Sequence, residues 1–124
     1  MKVKILELDK PNKNGRIYPT AVIAKSLESV KYPVFGELGF NPYGGVLATI
    51  DVSNISHKVE NLRIEDGFLV GDVTVLKTPK GLILEQVISN AEFLPKGTGS
   101  IDKDGNISEY SLISVGVFNK DGAA

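Results

Sequence analysis

At 124 residues, 42% of them hydrophobic, the chain has the size and apolar content of one domain with its own core. It has no cysteine, which removes disulfides, thiolate metal sites and a cysteine nucleophile together and suits a reducing compartment. Fourteen basic residues against fifteen acidic ones leave a formal charge of -1, with no surplus to hold a polyanion, so nucleic acid is not expected as the main partner. The longest apolar runs, at residues 73–76 and 82–84, fall far short of the ~18 residues a membrane span needs. The charged start, Met1-Lys2-Val3-Lys4, does not read as a signal peptide, and no membrane partner is expected.

Taken in chain order, residues 3–8 alternate as a first strand and run into Pro11-Asn12-Lys13-Asn14-Gly15, which is turn chemistry. Thr20 is placed to cap a helix over about 21–29, whose apolar positions Val22, Ile23, Leu27 and Val30 recur at helical spacing. Residues 33–38 read as a short strand, followed by a Gly- and Pro-rich loop over 39–45. Two strand-like runs, 55–64 and 68–76, flank Asp66-Gly67, a strong hairpin signal that puts Leu69, Val73 and Val75 on one face.

Thr78-Pro79 supplies a cap and a proline for the first helical position. Leu82, Ile83, Val87 and Ile88 continue that second helix to about residue 90. Residues 93–99, with Pro95, Gly97 and Gly99, read as another loop, and Asp104-Gly105 joins a last hairpin between 100–102 and 107–119. The residues after 121 read as a frayed tail. This order predicts an α+β fold: a mostly antiparallel β-sheet or small barrel with two helices.

Few residues carry chemistry by themselves. His57 is the only histidine, and a lone histidine in a strand is ordinarily structural, because a catalytic triad also needs a nucleophile and an orienting acid brought close. Ser53, Ser56 and Asp51 are near it in sequence, which is not triad geometry. One histidine and no cysteine leave little for a metal to bind, and no cofactor is expected. Residues 102–106 lack the spacing and closing glutamate of a calcium loop and read as a turn. Lys96 precedes Gly97 and Gly99, whereas a phosphate loop has its lysine after the glycines.

A more specific signal comes from blocks taken together. Asn12-Lys13-Asn14-Gly15-Arg16-Ile17-Tyr18-Pro19, then Gly36-Glu37-Leu38, Ile55-Ser56-His57-Lys58-Val59, Thr78-Pro79-Lys80-Gly81 and Gly97-Thr98-Gly99-Ser100 follow one another along nearly the whole chain. In that order the sequence resembles the prohead (capsid maturation) serine proteases of tailed bacteriophages. The resemblance implies one prohead-protease-like domain over residues 1–124. It also implies three catalytic positions, and this chain departs from the family at each. The base histidine, two residues after Gly-Glu-Leu, is replaced by Phe40. Aligning the glycines puts Leu94 and Pro95 on the family's two serines and Lys96 on its arginine. Phe118 stands where the acid is expected. A serine without a base and its orienting partner is not a nucleophile, so the resemblance implies a pseudoenzyme.

The function expected on that basis is a non-catalytic virion structural protein, a capsid decoration or minor head protein. It would bind the major capsid protein or another virion component, with self-association as a further possibility. It would be assembled in the host cytoplasm and reside in the virion. The expected binding surfaces are the loops at 39–45 and 93–99, with Phe40, Tyr43, Pro95 and Lys96 as contacts. The alternative is a divergent maturation protease, working through a relocated His57 and Ser100 pair, or an assembly-core component.

Overall fold

The computed structural model describes residues 1–12, 14–39 and 52–119, the side chains of Phe118 and Asn119 excepted. Its elements are β1 (Lys2–Glu7), α1 (Thr20–Leu27), β2 (Val34–Glu37), a 3-10 turn (Val52–Asn54), β3 (Ile55–Glu65), β4 (Phe68–Val75), α2 (Pro79–Val87) running into a second 3-10 turn (Ile88–Asn90), β5 (Ala91–Ile101) and β6 (Ile107–Asn119). Four strands form one antiparallel sheet in the order β1-β4-β3-β2, and β5 and β6 form an antiparallel hairpin. The hairpin packs on the sheet along two seams, with β6 against β2 and β5 against β1. At the first seam Leu38 forms a parallel bridge with Val117, and the Gly39 N–H donates to the Val117 carbonyl. The mostly antiparallel architecture with two helices is the one the sequence predicts.

Local chemistry explains the elements that matter for the site. Asp66 and Gly67 both have positive φ, 51° and 80°, as a two-residue turn matched to strand twist requires, so β3 and β4 pair in the expected hairpin. The Thr78 hydroxyl accepts the Gly81 N–H at 3.0 Å and donates to the Ile55 carbonyl at 2.5 Å, so the cap of α2 also holds the start of β3. On α2 the buried side chain is Leu84, while Leu82 and Ile83, expected in the apolar stripe, are each 50% exposed. Ile23 of α1 is fully buried, with Val22, Leu27 and Val30 partly buried around the same core. The core continues through Ile5, Val59, Leu69, Val115 and Val117.

Two expectations are corrected. Thr20 does not cap α1 with its own side chain: Pro19 is the N-cap residue, and the Asp9 carboxylate accepts both the Thr20 N–H (2.9 Å) and its hydroxyl (2.5 Å). That network holds the Asp9 carboxyl below its ordinary range. Residues 93–99 are not a loop but the middle of β5, and Pro95 lies in register with Val115. The Val115 carbonyl is directed at His57, away from β5. In an antiparallel ladder the N–H and C=O of a residue point to the same side, so Pro95 and Val115 form a non-hydrogen-bonded pair. A proline there removes no ladder bond, which is why the strand tolerates it.

Candidate functional site

Two of the blocks that carry the resemblance, Gly36-Glu37-Leu38 and Ile55-Ser56-His57-Lys58-Val59, meet at the seam between β2, β3 and the hairpin. In register, His57 of β3 pairs with Gly36 of β2, and Pro95 of β5 pairs with Val115 of β6. The His57 ring passes over Gly36 to reach the hairpin: Nε2 is 2.7 Å from the Val115 carbonyl. A carbonyl can only accept, so Nε2 carries the proton and Nδ1 is left bare. The Ser56 hydroxyl, 2.7 Å from Nδ1, therefore donates to it. A Cβ added at Gly36 would overlap both the Val115 oxygen and His57 Nε2, so only glycine admits this bond.

Ser56 and His57 are both 0% exposed. Phe93 meets the imidazole in a T-shaped contact, with centroids 5.3 Å apart. Burial pushes the His57 pKa below the ordinary histidine value, and the Val115 carbonyl opposes that shift. The ring is therefore held neutral, in one tautomer, with both nitrogens satisfied.

Two further ties cross the same seam. The Ser114 hydroxyl donates to the Phe35 carbonyl at 2.6 Å. Lys96 Nζ is 2.9 Å from Glu37 Oε1, with side-chain exposures of 7% and 14%. Glu37 belongs to the Gly36-Glu37-Leu38 block and Lys96 to the position the resemblance puts on the family's arginine. This corrects one expectation directly: Lys96 is not a surface contact but half of a nearly enclosed ion pair. Its ammonium is spent on holding β5 to β2.

The structure does not bring His57 and Ser100 together. His57 is engaged by Ser56 and Val115, whereas Ser100 is exposed near the far end of β5, in register with Glu109. Leu94 and Pro95 are partly buried, opposite Gly116 and Val115. Phe40 and Tyr43 lie outside the described residues, as does the Phe118 side chain. Sequence reasoning missed the Ser56–His57 hydrogen bond. Consecutive strand residues point to opposite faces, so adjacency gave no reason to pair them.

A hydroxyl bonded to an imidazole nitrogen is the relationship a nucleophile has to its base. Here both members are sealed from solvent, and a backbone carbonyl, not a carboxylate, orients the ring. No substrate carbonyl can approach Ser56 in this arrangement. Among the described residues, no group of three or more histidine, cysteine, aspartate or glutamate side chains is placed to hold a metal ion, and no helix is long and apolar enough to cross a membrane.

The fold is that of a phage capsid assembly protease. One solved structure that it matches is that of the bacteriophage T4 capsid assembly protease, gp21, with a TM-score of 0.78 over 95% of this chain and 79% of that chain, at 18% sequence identity. The likeness is one of fold, and it agrees with the resemblance read from the sequence blocks. No protein-family model matches the sequence, and no curated protein matches it.

Proposed function

We propose that this chain is a non-catalytic structural protein of a bacteriophage particle, a capsid decoration or minor head protein built on a capsid-protease fold. The observation that carries the reading is the use made of the polar groups at the seam. The hydroxyl and imidazole best suited to acyl transfer, Ser56 and His57, are buried and bonded as packing, and Lys96 is consumed by Glu37. Leu94 and Pro95 occupy the positions that the resemblance gives to serines, and neither can attack a carbonyl. What the fold then offers is a surface. Its partner on this reading is the major capsid protein or another virion component, and its place is the particle, assembled in the host cytoplasm. A net charge of -1 favours a protein partner over DNA.

The second reading, a divergent maturation protease, draws on the same Ser56–His57 hydrogen bond and requires the pair to become accessible. Mass spectrometry of purified mature virions beside immature proheads separates the two. Intact protein in mature particles, at a stoichiometry tied to capsid sites, is the expected result. Protein found in proheads alone, with self-cleavage products that vanish in Ser56→Ala, His57→Ala or Ser100→Ala, would replace the structural reading with the enzymatic one.

A further inference from the structure

Among the described residues, three side chains tie the four-stranded sheet to the hairpin: His57 to the Val115 carbonyl, Ser114 to the Phe35 carbonyl and Lys96 to Glu37. His57 is unlike the other two because its capacity is full and no water reaches it. A second proton has to enter at Nδ1, where Ser56 already donates. The hydroxyl would then have to turn and accept, giving up its own acceptor at a site with no solvent exposure. The resulting cation would also sit unhydrated against the Phe93 ring.

Among the described residues, the acidic groups on the surrounding elements make no ion pair with the ring. Glu37 of β2 is held by Lys96 of β5, Glu60 on the ring's own strand by Lys58, Asp72 of β4 by Arg63, and Glu85 of α2 by Lys77. Glu92 of β5 makes no bond to the ring, α1 brings only Lys25, and β6 carries no ionisable side chain from 114 to 117. The ring's two hydrogen bonds are to a hydroxyl and a backbone carbonyl.

We propose that His57 is a proton-operated latch: on acidification the imidazolium leaves the seam and the β5–β6 hairpin parts from β2 and β3, uncovering Ser56 and the Gly36–Leu38 edge. The inference rests on the seam and holds whether the chain is a structural protein or a protease. The lowered affinity of the buried ring for a proton agrees with it. An opening that takes up one proton becomes up to about tenfold more favourable per pH unit below the unfolded-state value of about 6.5.

Native-state hydrogen exchange of the full chain between about pH 7 and about pH 5 tests the latch. After correction for intrinsic rates, the opening constant of the Gly39 amide, which donates across the seam to Val117, is expected to exceed that of the β3–β4 ladder and to rise by up to about tenfold per pH unit. In His57→Gln the rise is absent. In Ser56→Ala, which removes the donor that favours the neutral ring, the folded-state affinity for a proton increases and the rise levels off at a higher pH. A seam constant that is flat in the wild type, that rises equally in His57→Gln, or that does not exceed that of the β3–β4 ladder overturns the proposal. Should His57→Gln fail to fold, a rise in Ser56→Ala that levels off no earlier than in the wild type overturns it alone.

Discussion

Lys96 Nζ and Glu37 Oε1 meet 2.9 Å apart across 59 residues of sequence, in a place where both side chains are almost enclosed. Removing one member leaves the other charged and desolvated. Lys96→Met is therefore expected to cost roughly 3–5 kcal/mol of folding stability, and the pair replacement Lys96→Met with Glu37→Leu much less, since no uncompensated charge remains. Urea unfolding of the two variants reads the difference.

Gly36 is the point over which His57 reaches β6, and a methyl group there has no room. Gly36→Ala is expected to cost about 1–3 kcal/mol through overpacking and to break the imidazole–carbonyl bond. The His57 ring proton signals in NMR would move toward those of a solvated, freely titrating histidine. A variant of wild-type stability with an unmoved ring signal would show that the strand yields without effect on the seam.

Global stability should depend on pH through the same ring. His57 binds its proton less readily when folded than when unfolded, so the unfolded state takes up more protons in the window below the unfolded value of about 6.5 and above the folded one. Stability is complete above about pH 6.5 and falls as the pH drops toward the folded value, at up to about 1.4 kcal/mol per unit. Denaturation midpoints taken across this window in the wild type and in His57→Gln isolate the term, since the variant lacks that slope.

Thr78 joins two elements with one oxygen, accepting from Gly81 and donating to Ile55. Thr78→Val keeps the shape and loses both bonds. A loss of about 0.5–2 kcal/mol is expected, and thermal unfolding measures it.

On the functional side, Phe40→Ala with Tyr43→Ala is expected to weaken attachment to phage particles if those rings are the anchors the sequence points to. Co-sedimentation with particles that lack the protein reads this. Undiminished binding would remove the aromatic-anchor reading and leave the rest of the surface to account for attachment.

Much of the fold was legible from local chemistry. Asp66-Gly67 marked one hairpin because a two-residue turn demands positive φ at both positions, and Asp104-Gly105 marked the other through Gly105, the residue of that turn with positive φ. Thr78-Pro79 marked the start of α2 because a cap and a fixed φ suit that position. What failed was non-local. Pro95, Gly97 and Gly99 read as a loop, and only the register with β6 shows that Pro95 occupies a position where no amide donor is needed. Thr20 looked like a cap because nothing in the sequence tells that Asp9 will turn back to bond it. The site was legible as a set of blocks but not as a set of contacts. Neither the Lys96–Glu37 pair nor the bond from Ser56 to His57 follows from spacing, since each depends on which strands pack and at which register.

Pro95 has one more consequence. The side of β5 that faces away from β6 is turned toward β1 along the second seam, and a row of alternate backbone groups lines that closure. At its middle position that row has a gap, because proline brings a carbonyl without a donor. At that position β5 has no amide to give to β1, so the closure gains no ladder bond from the β5 side there.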